Sequence, residues 1–195
     1  MDNKTIQTQR MRGYFIEAAK AILKSEGLRG INVRNVADKA GYSYATLYNY
    51  FRDIKDLVFI CVKDFQDECE AEVRAETRNI PAGIGRIEKI AKSYVRFFVQ
   101  YPGIFELFYL ERMTDIAGQQ PTAELIRTFL DRLCAEDWND CIERKILTPG
   151  QADLIKNELN LVVTGMMLFY INRRQPQSYV DFTALADAQL RKILG

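Results

Sequence analysis

The side chains between Tyr42 and Tyr50 carry the clearest chemistry in this sequence. Leu47 and Phe51 lie four residues apart, so they share one face of a helix and are expected to be buried. Five residues of mixed hydroxyl, amide, aromatic and small type then point outward: Tyr44, Ala45, Thr46, Tyr48 and Asn49. Hydroxyls can bond to phosphates and base edges, and small residues let a helix approach closely, so this surface suits the major groove of DNA.

Glycines and capping residues divide the surrounding sequence into three helices. Gly27 and Gly41 are expected to end the first and second helices, because glycine adopts the left-handed cap conformation without steric cost. Asn32 and Ser43 are expected to cap the second and third by accepting an otherwise unpaired backbone N–H. The second helix has one apolar face at helical spacing, formed by Val33, Val36, Ala37 and Ala40. Two short helices joined at a glycine, the second with a polar face, are typical of a helix-turn-helix.

The segment VADKAGYS, followed by TLYNYF, resembles the DNA-binding domain of the TetR family of bacterial transcriptional repressors. The preceding stretch MRGYFIEAAKAILKSEGL is similar to the first helix of that family. The remainder of the chain agrees in length, helical character and absence of repeats. The resemblance implies an all-α protein with an N-terminal DNA-binding domain over residues 1–52, its helix-turn-helix motif at about 32–51. A larger helical regulatory and dimerisation domain follows over residues 53–195.

The resemblance also implies which residues contact DNA. Tyr44 and Ala45 occupy the positions that most often touch bases, and Arg34 a position that contacts a base or a phosphate. Thr46 and Tyr48 match the hydroxyls that anchor phosphates. The full predicted set is Arg34, Tyr42, Ser43, Tyr44, Ala45, Thr46, Tyr48, Asn49, Tyr50 and Lys55. The alternative for Arg34 is a solvated arginine at a helix start.

Two positions depart from the family pattern. Ile54 stands where a lysine usually begins the fourth helix, and the basic residue follows one place later as Lys55. A phosphate contact at this point is therefore left to Lys55 or Arg52. Tyr42 replaces the common valine of the turn, which predicts a side chain that is partly core and partly backbone contact. Tyr50 fits either a contact with the DNA backbone or a half-buried position.

Composition limits the possible functions. The sequence has 195 residues, of which 48% are hydrophobic, so it can bury a substantial core. Its net charge is only +1, but residues 1–56 carry 10 Lys/Arg against 6 Asp/Glu, whereas the rest carries 17 against 20. The positive part contains the predicted helix-turn-helix, as attraction to phosphate requires.

Cysteine usage and hydropathy indicate the compartment. The four cysteines, Cys61, Cys69, Cys134 and Cys141, show no CxxC spacing and the sequence has no histidine, so we expect no zinc site. Free, half-buried thiols in a reducing cytoplasm are the main interpretation, with redox sensing as the alternative. No stretch of about 18 uncharged apolar residues predicts a membrane span. The N-terminus lacks the apolar run of a secretory signal. We therefore expect a cytoplasmic protein.

The second domain is rich in aromatic residues and methionines. In the TetR family such a domain holds a small inducer, and an apolar, adaptable lining suits a lipophilic or aromatic molecule. The candidate lining residues are Tyr94, Phe97, Phe98, Tyr101, Phe105, Phe108, Tyr109, Met113, Trp138, Met166, Phe169 and Tyr170. The alternative is that these residues at helical spacing form only a core. The sequence implies no metal and no cofactor.

The helix ELNLVVTGMMLFYINRR is apolar nearly all round its middle, too much so for one buried stripe. In the family, the last two helices pair with their copies to form a dimer. The residues predicted for this interface are Val163, Gly165, Met167, Tyr170, Leu185 and Leu190. The alternative is a helix buried wholly within one chain.

These patterns predict a homodimeric, sequence-specific repressor that a small apolar or aromatic ligand releases from its operator DNA. An enzyme is a second possibility, but the sequence has no catalytic motif, no histidine and no glycine-rich phosphate loop. A third is a helix-turn-helix used only for protein interaction or DNA packaging. Little preference between DNA sequences would favour that third possibility.

Overall fold

The computed structural model describes residues 2–110, 120–172 and 175–195, and over these the regular structure is entirely helical. This confirms the predicted all-α class. The helices are α1 Asn3–Glu26, α2 Val33–Ala40, α3 Tyr44–Tyr48, α4 Ile54–Thr77, α5 Ile84–Gln100, α6 Pro102–Tyr109, α7 Gln120–Arg127, α8 Phe129–Leu133, α9 Ala135–Glu143, α10 Pro149–Ile171 and α11 Tyr179–Leu194. A single 3-10 turn, Leu28–Gly30, separates α1 from α2.

The helix ends predicted from glycines and caps are present. Gly27 and Gly41 have φ of 68° and 78°, so each ends its helix in a conformation that favours glycine. Asn32 accepts a hydrogen bond from the backbone N–H of Asn35 at 2.9 Å. Ser43 does the same for Thr46 at 3.2 Å. Local signals therefore determine where α1, α2 and α3 begin and end.

The segment from residue 122 to 145 is divided into parts of α7, α8 and α9. The backbone leaves helical geometry at Thr128 and Cys134, where ψ is 5° and 4°. Hydrogen bonds of helical spacing continue across both positions, from Arg132 N to Thr128 O and from Trp138 N to Cys134 O. The interruption is thus a local change of dihedral angle within a largely helical segment.

The chain divides by packing into two compact units. One comprises residues 1–67 and 101–126, and the other residues 68–100 and 127–195. Helix α4 begins in the first unit and ends in the second. The division predicted at residues 52/53 concerns domains defined by function, and it stays a prediction.

In the first unit, the core forms where α1 packs on α2 and α6. Phe15, Leu23 and Leu47 are fully buried there. Helices α1 and α6 approach very closely: a Cβ on Gly103 would lie 2.1 Å from the carbonyl oxygen of Leu23. Only glycine allows this contact.

In the second unit, α5 packs against α9, α10 and α11. The ring of Tyr94 lies 4.8 Å from that of Phe98 and 5.7 Å from that of Phe129. Asp137 is buried, and it accepts hydrogen bonds from Gly83 N at 2.9 Å and Arg86 Nε at 2.7 Å. This polar contact fixes the start of α5 to α9.

Helix α10 is the one helix of the described chain whose length and composition could match a bilayer. Its most apolar 18-residue window has a mean hydropathy of 1.2, and 22% of that window is buried. Length and composition alone are weak evidence, since core helices of proteins in water have the same character.

Candidate nucleic-acid interface

Helix α3 presents the polar and aromatic face predicted from the sequence. Its inward residue, Leu47, is fully buried, and Phe51 just beyond the helix is 3% exposed. On the opposite side, the side chains of Tyr44 and Tyr48 are 60% and 53% exposed. Ser43, Ala45 and Asn49 are exposed as well, and Thr46 is half-buried. Two large aromatic side chains are thus exposed to solvent on one face of α3, while the opposite face packs in the core.

The N-terminal end of α3 is fixed by hydroxyl groups. Besides capping the helix, the Ser43 hydroxyl lies 2.9 Å from the Thr46 hydroxyl, and either group can donate in this bond. Both side chains keep part of their hydrogen-bonding capacity for a partner, because a hydroxyl can donate once and accept twice. This arrangement suits the phosphate contact predicted for Thr46 and the DNA contact predicted for Ser43.

The C-terminal end of α3 is held by Arg12, a residue that the sequence reasoning missed. Its Nη1 donates to the backbone carbonyl of Tyr50 at 2.5 Å. The guanidinium also lies 4.5 Å from the centre of the Phe51 ring. The separation of 38 residues between Arg12 and Tyr50 left no local signal by which this contact could have been found.

An aromatic cluster joins α1 to the turn before α3. Tyr42 is half-buried and lies 5.6 Å from the ring of Phe15, and Tyr50 is half-buried at 6.1 Å from the same ring. Both tyrosines are thus half-buried, and their contacts with DNA stay a prediction.

Exposed cations flank this surface. Arg34 at the start of α2, Arg52 before α4 and Lys55 in its first turn are all exposed. None of the three forms an ion pair with another described residue. Ile54 is half-buried, while Asp53 caps α4 by accepting from Asp56 N at 3.0 Å. Arg52 and Lys55 are thus both available for the contact that Ile54 cannot make.

The residues predicted to line a ligand pocket fall into both units. Tyr101, Phe105, Phe108 and Tyr109 belong to the first, and the second contains Tyr94, Phe97, Phe98, Trp138, Met166, Phe169 and Tyr170. Met113 lies outside the described residues. Most of the set is buried, Tyr101, Tyr109 and Tyr170 are half-buried, and Phe169 is 52% exposed. The Nε1–H group of Trp138 is buried with no hydrogen-bond acceptor among the described residues. Their role as a pocket stays a prediction.

The residues predicted for a dimer interface separate into two groups. Val163, Met167 and Leu190 are fully buried within the chain itself. Gly165 and Leu185 are accessible, and half-buried Tyr170 stacks on Phe182 at 4.2 Å.

The large apolar side chains that α10 leaves exposed are different ones, namely Leu154, Leu161, Leu168 and Phe169. An interface formed by this helix would therefore use these residues rather than Val163 or Met167.

All four cysteines are free and buried, more deeply than the sequence suggested. Burial raises the pKa of Cys61 to about 12, and it also raises the pKa of Cys69, Cys134 and Cys141. Buried thiols with raised pKa are poor nucleophiles and poor redox sensors. Within the described residues, no group of three or more Cys, Asp or Glu side chains could hold a metal ion.

Residues 15–59 match the family described as bacterial regulatory proteins, tetR family. They span the buried second half of α1, the whole helix-turn-helix and the start of α4. Over these residues the chain is similar to the DNA-binding domain of the TetR family. A segment of 74 residues is also 34% identical to the HTH-type transcriptional repressor KstR2 of Mycobacterium tuberculosis. That segment is 38% of this chain and only 37% of the repressor.

The TetR-like fold extends over nearly the whole chain. A protein of unknown function from Rhodococcus sp. RHA1 superimposes with a TM-score of 0.73 and 20% identity, over 95% of this chain and 96% of that one. FadR from Bacillus subtilis, solved in complex with stearoyl-CoA, superimposes with a TM-score of 0.69 and 13% sequence identity, over 93% of this chain and 97% of that one. At these identities the likeness establishes the fold. KstR2 is a transcriptional repressor, and FadR is a transcriptional regulator.

Proposed function

We propose that this protein is a sequence-specific, DNA-binding transcriptional regulator that acts as a repressor. The observation that carries the proposal is the exposed face of α3. Tyr44 and Tyr48 are more than half exposed, Ala45 and Asn49 lie between and beside them, and the helix is capped at one end and held by Arg12 at the other. A rigid helix with donors, acceptors and small residues on its free face is what base readout in a major groove requires.

The protein acts as a homodimer in this proposal. Leu154, Leu161 and Leu168 recur every seven residues along α10, so they form one stripe, and they are 72%, 75% and 37% exposed. Gly165 lies in the same stripe, and a Cβ there would meet no atom within 4 Å among the described residues beyond its own turn of helix. An apolar stripe of this length is covered in a soluble assembly, and a second copy of the same helix is its natural partner.

Dimerisation also gives the reading helix enough contacts. Helix α3 has only five residues, so one copy reaches few base pairs. A two-fold axis doubles those contacts and matches a palindromic operator with half-sites one helical turn apart, or a multiple of it.

A small apolar or aromatic ligand releases the operator in this proposal. The second unit is lined with buried aromatic side chains, and the similar fold of FadR was solved with stearoyl-CoA, which supports a ligand with a long apolar part. The ligand acts by favouring a state in which the two reading heads are wrongly spaced. A difference of about 3 kcal/mol between the states corresponds to about a hundredfold change in operator affinity.

The experiment is selection of bound fragments from a random duplex pool at about 0.15 M salt, a concentration at which phosphate contacts alone bind weakly. Recovery of a palindrome supports a dimeric repressor. Recovery of bound DNA without a sequence motif would instead favour the packaging module. Tyr48→Ala should lose the selected site, whereas Tyr179→Ala, which removes an exposed tyrosine of the second unit, should retain it. Addition of stearoyl-CoA then tests release.

A further inference from the structure

The first three turns of α1 are not part of any core. None of the residues 2–14 is buried, and Phe15 is the first fully buried side chain of the helix. At 1.5 Å per residue, Asn3 to Tyr14 spans about 17 Å. Residues 3–16 contain three Lys/Arg and no Asp or Glu. This part of α1 is therefore a positively charged helical projection.

Four exposed hydrogen-bond donors lie along one face of this projection. Asn3, Gln7, Arg10 and Tyr14 follow one another at spacings of four, three and four residues, which places them on one side of a helix. Each carries an amide, a guanidinium or a hydroxyl that can donate to a phosphate oxygen. Arg10 has no ion-pair partner among the described residues, so its charge is not neutralised within the chain.

The stripe adjoins the N-terminal end of α3, the helix that is proposed to read DNA. The ring of Tyr14 stacks on that of Tyr42, with centres 6.0 Å apart and planes at 28°. Tyr42 immediately precedes Ser43, the residue that caps α3. Tyr14 therefore places the donor stripe beside the N-terminal end of the reading helix, within the same packed unit.

We propose that Asn3, Gln7, Arg10 and Tyr14, here called the α1 arm, bind the sugar-phosphate backbone of duplex DNA beside the base pairs that α3 contacts. The inference rests on the proposed function and extends its contact surface to a second element. Duplex DNA is the partner that fits, because the stripe carries a donor on every side chain, a positive charge and no negative charge, and because it adjoins the reading helix. Phosphate contacts of this kind fix the register of a reading helix without reading sequence themselves.

The test compares the salt dependence of binding by fluorescence anisotropy, with a labelled duplex carrying the selected site. Each phosphate that a cation neutralises contributes about 0.9 to the slope of log K against log salt. Arg10→Gln should lower the slope by about 0.9 for each arm bound, and weaken binding about fivefold for each arm at 0.15 M salt. Arg78→Gln removes the same charge from an exposed position in the second unit and should leave the slope unchanged.

Two further measurements separate the arm from a general change in charge or folding. Tyr14→Phe keeps the stack on Tyr42 and removes only the hydroxyl, so it should weaken binding without altering the slope. Shortening the duplex until it ends at the half-sites should weaken the wild-type protein and abolish its difference from Arg10→Gln.

If wild-type protein and Arg10→Gln have equal slopes on the full-length duplex, the proposal that the α1 arm binds phosphates is overturned, and the proposed function is left intact. Failure of the wild-type protein to bind either the selected or a random duplex would overturn both.

Discussion

The close contact between α1 and α6 predicts that adding one methyl group, by Gly103→Ala, destabilises the protein. Gly103 is the second residue of α6, after Pro102. A Cβ added there would lie 2.1 Å from the carbonyl oxygen of Leu23 and 3.0 Å from Cα of Gly27, where real Cβ atoms essentially never come within 3.0 Å. Both obstacles are backbone atoms, so no side-chain rotation can make room. Gly103→Ala must therefore push α6 away from α1.

The chain contains a matched control. Gly150 is also the second residue of a helix, α10, and also follows a proline, but a Cβ there would meet nothing within 4 Å. Replacing glycine by alanine in a helix gains roughly 0.5–1 kcal/mol. We expect Gly150→Ala to gain this amount. At Gly103 the same gain is offset by overpacking of about 3 kcal/mol, which leaves a net loss of about 2 kcal/mol.

Thermal unfolding followed by circular dichroism measures the difference. A change of 1 kcal/mol shifts the Tm of a chain of this size by about 2–4 °C. Gly103→Ala should thus lower the Tm by about 4–8 °C, whereas Gly150→Ala should raise it by about 1–4 °C. The reasoning is refuted if Gly103→Ala unfolds at the same temperature as Gly150→Ala, since the two helix starts would then be equally open.

Four further outcomes are expected. Tyr48→Phe should weaken binding about tenfold across all DNA sequences if its hydroxyl bonds to a phosphate, and equal Kd values for both proteins in anisotropy would remove that role. Gly165→Leu should dissociate the dimer at low concentration in sedimentation, without loss of helix signal, because its own chain leaves the space open. Asp137→Ala should lower the free energy of unfolding in urea by about 3–5 kcal/mol, since it leaves Arg86 short of its buried partner. The four thiols should resist a disulfide reagent at pH 8 until the protein unfolds. Burial raises the pKa of Cys61 from 9.0 to about 12 in the folded protein. The contribution of the buried, protonated thiol to folding stability is therefore fully present below pH 9, and it is lost as the pH rises towards 12.

Features set by neighbouring residues could be predicted from the sequence. The cap at Asn32, the left-handed Gly41 and the buried position of Leu47 each follow from residues within four places, and the structure has all three. The exposed Tyr44 and Tyr48 follow in turn, because a helix that buries Leu47 must turn them outward.

Features set by distant residues could not be predicted. Arg12 reaches the end of α3 across 38 residues, and no spacing rule pairs them. The same limit affected the surface of α10. A helix that is apolar nearly all round gives no sign of which side packs inside, so the pattern predicts Met167 at an interface although it is fully buried. The same pattern does not distinguish Leu161, which is one of the exposed residues of that helix.

The way α3 is held bears on how a ligand could act. A helix of five residues is far too short to persist alone, since isolated helices need about 12–15 residues to be even marginally stable. It is stabilised by packing on α2, and its flanking residues are held by α1, through Phe15 against Tyr42 and Arg12 on the carbonyl of Tyr50. Helix α1 in turn packs on α6 through the glycine contact at Gly103. Because α3 packs on α2, and α2 and α6 both pack on α1 within one unit, a ligand is expected to displace this unit as a body rather than to melt the reading helix. Release of DNA would then depend on the spacing of two intact heads, and the helix content of the liganded protein should stay unchanged.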